Sequence, residues 1–185
     1  QVRRALVRAM RHETIDNDER AAFYRACGDY MVYAQGRVHK EDQGIADRLK
    51  ARVPASDTQE HERIDRLLRG LDISRGLTSD FAVATEHLKA AGPSACAGFE
   101  RAVETLITGG DEITGSAAAM GGGRNPMNTS TDDVMTETDW AEIAAATPDD
   151  IARESELYLR VQDTAPAGFD PATMPPTHPR SWDDY

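Results

Sequence analysis

The sequence predicts an all-α protein, arranged as an antiparallel four-helix bundle with short C-terminal helices and an extended tail. Three observations carry this. Strand signals are scarce: no β-branched run alternates for long, and no Asn-Gly or Asp-Gly dipeptide marks a hairpin. Apolar residues recur at spacings of three and four instead. The breaks between these stretches are short, which suits antiparallel neighbours in a bundle.

Taken in order, residues 2–26 place Ala5, Ala9, Ile15, Ala22 and Phe23 at helical spacing. A second helix is expected from about Asp29 to Arg52, with Val38, Ile45 and Leu49 on one side. Pro54 stops it. The third opens in "PASDTQEHERIDRLLRGLD", residues 54–72. Ser56 and Gln59 form a capping-box pattern there, and Ile64, Leu67, Leu68 and Leu71 follow. Gly70 and Gly76 weaken its far end.

A fourth piece is expected from Ser79 to Ala91 and a fifth from about Ala95 to Ile107, ending at Gly109 and Gly110. The second half of residues 115–135 reads as a connection. Thr136 with Asp139 opens a short helix around Trp140. Thr147 followed by Pro148 opens another, to about Val161. The expected division is a bundle over residues 1–162 and a proline-rich tail over 163–185, extended or disordered.

The 185 residues carry a net charge of −11, which argues against nucleic acid and anionic membranes as partners. No apolar run approaches the length of a membrane span. The opening "QVRRALVRAMRHE" is basic but has no apolar core, so it does not read as a secretory signal. Cys27 and Cys96 are far apart and suit two reduced thiols in a cytoplasmic protein. "GGGRNP", residues 121–126, follows no strand and precedes no Lys-Ser/Thr, so it reads as a connection rather than a phosphate loop. "PRSWDDY", at the end of the chain, carries aromatics that could dock on a protein partner or another subunit.

Bundles build their sites from polar side chains that project inward. On helical spacing, His61 falls on the stripe of Ile64 and Leu68, and His12 on that of Ala5, Ala9 and Ile15. Glu41 falls between Val38 and Ile45, where a carboxylate is costly to bury without a cation. His87 is a further inward candidate, whereas His39, beside Asp42 and Gln43, reads as solvated. Imidazole and carboxylate together suit iron, manganese or zinc. Taken singly, a histidine at such a position is more often a structural residue.

"HKEDQGIADRLKARVPASDTQEHERIDRLL", residues 39–68, resembles the second and third helices of hemerythrin-like, HHE cation-binding domains. Glu41-Asp42, Ile45, Leu49 and Glu60-His61 carry the resemblance, with His12 in "AMRHETID" resembling the first-helix ligand. "TETDWAEIA", residues 136–144, resembles an acidic-Trp segment of such domains. The family implies a diiron centre that binds dioxygen or a related small ligand. Residue by residue, it implies His12, Glu41 and His61 as metal ligands; in a metal-bearing reading His87 or Asp111 could join them. Two family histidines have other residues in their places: Arg37 stands one turn before Glu41, and Ile107 and Thr108 stand where the fourth helix would carry the other. Two readings follow: a non-haem iron protein that senses a small ligand or performs oxidative chemistry, and a bundle that has lost its metal and serves as a regulatory or interaction module. An unrelated helical domain is the third.

Overall fold

The computed structural model describes residues 1–120 and 134–174, with side chains described over 1–110 and 134–174. The fold is all-α, and no strand occurs among the described residues. Helices α1 (Val2–Met10), α2 (Asn17–Arg52) and α3 (Thr58–Ala91) come first. A 3₁₀ turn, Gly92–Ala95, leads into α4 (Cys96–Met120). Then come α5 (Glu137–Ala144), α6 (Pro148–Thr164) and a second 3₁₀ turn, Pro171–Thr173.

Two expected boundaries shift for local reasons. The helix expected over 2–26 breaks in two, because Asp16 caps α2: its Oδ1 accepts from the N–H of Asp18 at 2.9 Å and of Glu19 at 3.3 Å. The cap of α3 is Asp57 rather than Ser56, since Asp57 Oδ1 accepts from the Glu60 N–H at 3.1 Å. Elsewhere expected breaks vanish. Gly70 and Gly76 sit inside a continuous α3 of 34 residues, and Gly109 and Gly110 inside α4. A helical glycine costs only about 1 kcal/mol relative to Ala, less than the burial of one large apolar side chain. At Gly109 the missing side chain has a use, because a Cβ there would fall 2.5 Å from Leu77 Cδ1. The α5 and α6 starts match expectation. Thr136 and Asp139 form a reciprocal capping box, and Pro148 opens α6.

The chain divides into two compact units. One comprises Gln1–Ala34, Asp80–Glu104 and Pro148–Tyr185; the other comprises Gln35–Ser79 and Thr105–Thr147. The first has an aromatic centre. Phe99 stacks on Tyr24 and lies tilted against Phe81, each at 5.3 Å between ring centres. The Tyr24 hydroxyl donates to Glu100 Oε1 at 2.7 Å, which satisfies the polar end of a buried ring. Helix α1 buries Val2, Ala5, Leu6 and Ala9. The start of the expected tail is not extended away from this unit. Phe169, Pro171 and Met174 are buried, and the Pro171–Thr173 turn contacts α1 and α6.

The second unit is built on Ile45 and Leu49 of α2, Ile64 of α3 and Met135. Val53, Leu68, Val134, Trp140 and Ile143 pack against that cluster.

Candidate functional site

Of the five expected ligands, four have described side chains, two in each unit. Helix α1 ends at Met10, so His12 lies in the α1–α2 connection, exposed, with its Nδ1 2.9 Å from Thr14 Oγ1 and its ring roughly perpendicular to that of Phe169. This corrects the inward placement of His12, which assumed an unbroken helix. His87 is also exposed, because the buried face of α3 there passes through Phe81, Thr85 and Leu88. Both belong to the first unit.

Glu41 and His61 belong to the second unit and are partly buried. Glu41 Oε1 accepts from Arg37 Nη2 at 3.5 Å, one turn earlier on α2. His61 sits in the first turns of α3, its N–H donating to the Asp57 carbonyl. The side chain of Asp111 lies outside the described residues, as do residues 121–126 and the C-terminal PRSWDDY. Among the described residues, no three His, Cys, Asp or Glu side chains are grouped to hold a metal ion.

Within the second unit, the expected ligand Glu41 is paired inside the chain. The resemblance requires imidazole and carboxylate to converge, and here the carboxylate converges with a guanidinium. The Arg37 guanidinium at that distance offsets part of the carboxylate's charge, but both side chains are partly open to solvent, where such a pair contributes little.

Two polar sites in the second unit were not foreseen as sites. His39, expected to be solvated, is only 7% exposed, whereas Val38, expected to be inward, is 47% exposed. Ile45 and Leu49 are buried as expected, but at the start of that stripe His39 rather than Val38 faces inward. His39 is accommodated because Ser74 of α3 faces it, with Nε2 and Oγ 2.8 Å apart. Burial holds the imidazole below its ordinary pKa, and the Arg75 guanidinium adds to this against the opposing charge of Asp42. Burial likewise raises the Asp42 carboxyl, as does Glu41. A neutral histidine beside a serine hydroxyl evokes acyl transfer, but Ser74 stands within a continuous helix whose own carbonyls take the neighbouring N–H groups. No pair of N–H donors there is left for an oxyanion.

The second site is Asp139 of α5, 5% exposed. Arg52 Nη2 donates to its Oδ1 at 2.7 Å and Arg52 Nη1 to its Oδ2, a two-pronged grip, while Arg48 Nε lies 3.3 Å from Oδ1. The Thr136 N–H and hydroxyl donate to Oδ2 at 2.8 and 2.6 Å. These hydrogen bonds, Arg52's first, hold the carboxyl well below the usual carboxylate range. Arg52 also donates to the Val134 carbonyl at 3.0 Å. The sequence signal was present in "TETDW", but it names a helix start and not the arginines that meet it.

The first unit has a shallow cleft of about 190 Å³ between Asp29, Tyr33, Thr85, Glu86, Arg153 and Leu157. Its charges are engaged within the protein: Lys89 bridges Asp29 and Glu86, and Arg153 bonds Glu156. The volume is below that of ordinary small-molecule sites. No described helix is long and apolar enough to cross a membrane. No protein-family model, curated protein or solved structure matches the chain.

Proposed function

We propose that the chain is a helical interaction module on a hemerythrin-like four-helix frame whose metal has been replaced by side-chain charge. The observation that carries this reading is Arg37 against Glu41, at 3.5 Å. Where the resemblance calls for a histidine one turn before the carboxylate, a guanidinium occupies the space and repels a divalent ion. The exposure of His12 and His87 supports the same reading. The net charge of −11 favours protein partners with basic surfaces and disfavours nucleic acid. Two free thiols are in keeping with a cytoplasmic location.

Elemental analysis of the purified full-length chain tests the reading. The expected result is substoichiometric iron, manganese and zinc. A whole-number metal content that disappears in both Glu41→Gln and His61→Ala overturns it. It would restore the alternative, a non-haem iron protein that meets dioxygen or another small ligand.

A further inference from the structure

We propose that α5 acts as an internal ligand, and that the α2–α3 groove beneath it is the docking site for a partner's amphipathic helix. That helix would carry a carboxylate, a large aromatic one residue later and an aliphatic four residues later. This rests on the reading of the chain as an interaction module and names the surface it would use.

The groove is defined by its present occupant. Ile45 and Leu49 of α2 and Ile64 of α3 form its floor, with Val53 and Leu68 at the sides. Met135, Val134, Trp140 and Ile143 fill it. One rim carries Arg48 and Arg52, one turn apart, and both meet Asp139. An apolar floor with a paired cationic rim is the arrangement that receives an amphipathic helix in a groove. Asp139, Trp140 and Ile143 therefore give the spacing that a competing helix must reproduce.

The occupant is built to be displaced. Helix α5 has eight residues, below the length at which an isolated helix holds together in water. Of residues 134–144 only Met135 and Asp139 are buried; Glu137, Thr138, Ala141, Glu142 and Ala144 are exposed. The walls are different, since α2 runs for 36 residues and α3 for 34. A segment with few buried apolar contacts opens at lower free energy than the elements beneath it. Its departure would uncover Ile45, Leu49 and Ile64 next to two arginines without their carboxylate.

The test uses the full chain and a fluorescent peptide of residues 134–144, VMTETDWAEIA, followed by anisotropy. The wild-type groove is occupied, so the peptide binds it weakly. The Asp139→Asn chain releases its own segment and binds the same peptide at least about tenfold more tightly, because apparent affinity scales with the open fraction. Adding Arg52→Ala to that chain, or changing the peptide's Asp to Asn, removes the gain. Equal affinity for both chains, or a gain indifferent to Arg52→Ala, overturns the proposal. Hydrogen exchange of the wild-type chain gives a second reading that needs no variant. The amides of residues 141–144 should exchange through an opening that leaves α2 protected; exchange only together with α2 overturns the proposal. A wild-type chain that sediments as a dimer while Asp139→Asn is a monomer assigns the groove to a second copy and overturns the partner assignment. Metal content reads Glu41 and His61 rather than α5. A metal-bearing chain that binds the peptide sinks only the metal-free reading, and a metal-free chain that does not bind it sinks only the groove.

Discussion

Two glycines eight residues apart on α2 should respond to alanine in opposite directions. A Cβ at Gly28 would meet Thr85 Cγ2 at 2.6 Å, Thr85 Oγ1 at 2.8 Å and Phe99 Cε2 at 3.1 Å. Neither neighbour can give way cheaply. Thr85 is buried, and its hydroxyl donates to the Phe81 carbonyl at 2.9 Å, so rotation would strand a buried hydroxyl. Phe99 is held between Tyr24 and Phe81. Overpacking of this kind costs roughly 1–3 kcal/mol, and two contacts below 3 Å on a locked side chain put Gly28→Ala near about 3. Better helix propensity offsets about 1 kcal/mol, leaving a net loss of about 2. At Gly36 nothing lies within 4 Å, so only the propensity gain applies and Gly36→Ala should stabilise by about 1 kcal/mol. Urea unfolding followed by far-ultraviolet circular dichroism reads both as midpoint shifts at unchanged slope. In a Thr85→Ala background the Gly28→Ala penalty should shrink, leaving only the Phe99 contact at 3.1 Å. If Gly28→Ala raises the midpoint as Gly36→Ala does, the close approach of α2 and α3 is refuted.

Other consequences follow from the buried polar groups. The Asp139 carboxyl is held low in the folded chain, so its contribution is complete above the unfolded pKa of about 4 and is lost as pH falls through the folded value. Urea midpoints taken downward from about pH 6 should drop more steeply in the wild type than in Asp139→Asn. His39 is shifted down by burial, so the unfolded chain takes up its proton first; stability present above about pH 6.5 should decline below it, and His39→Gln should flatten that slope. Tyr24→Phe removes the hydroxyl bound to Glu100 and should cost about 1.5–3 kcal/mol in chemical denaturation. Burial raises the Cys27 and Cys96 thiols, so both should resist a thiol reagent in the native chain and react once it unfolds, read by mass spectrometry.

The features legible in the sequence were those decided locally. Thr136 and Asp139 start α5 because a capping box needs only residues three apart, and Pro148 starts α6 for a similar reason. The Ala9-to-Ile15 spacing carries a helical stripe across Asp16, yet α1 stops at Met10 and the Asp16 carboxylate caps a new helix. Gly70 and Gly76 suggested a break from propensity alone, and packing along α3 overrode it. His39 shows the harder limit. Val38 and Ile45 are seven apart, but so are His39 and Ala46; Ile45 and Ala46 are both buried, and of the other two it is His39 that is. Polarity favoured the first choice, while Ser74, 35 residues away, makes the second tolerable. Spacing assigns a side chain to a helix face; it does not tell which residue of another helix will meet it. For the same reason Glu41 could be marked as needing a cation, while the contact with Arg37, one turn away on α2, is seen only in the structure.

The way the chain is apportioned between its two units limits how it can be altered by recombination. The junctions fall at 34/35, 79/80, 104/105 and 147/148, and the first three lie inside α2, α3 and α4. No single crossover can exchange one unit for a homologous one, and a fragment ending at any of the first three junctions severs a helix mid-span. An insertion or deletion of one residue there rotates every later side chain on that helix by about 100°. Lineages of this protein should therefore differ by substitutions along α2, α3 and α4, with changes in length confined to the connections between helices.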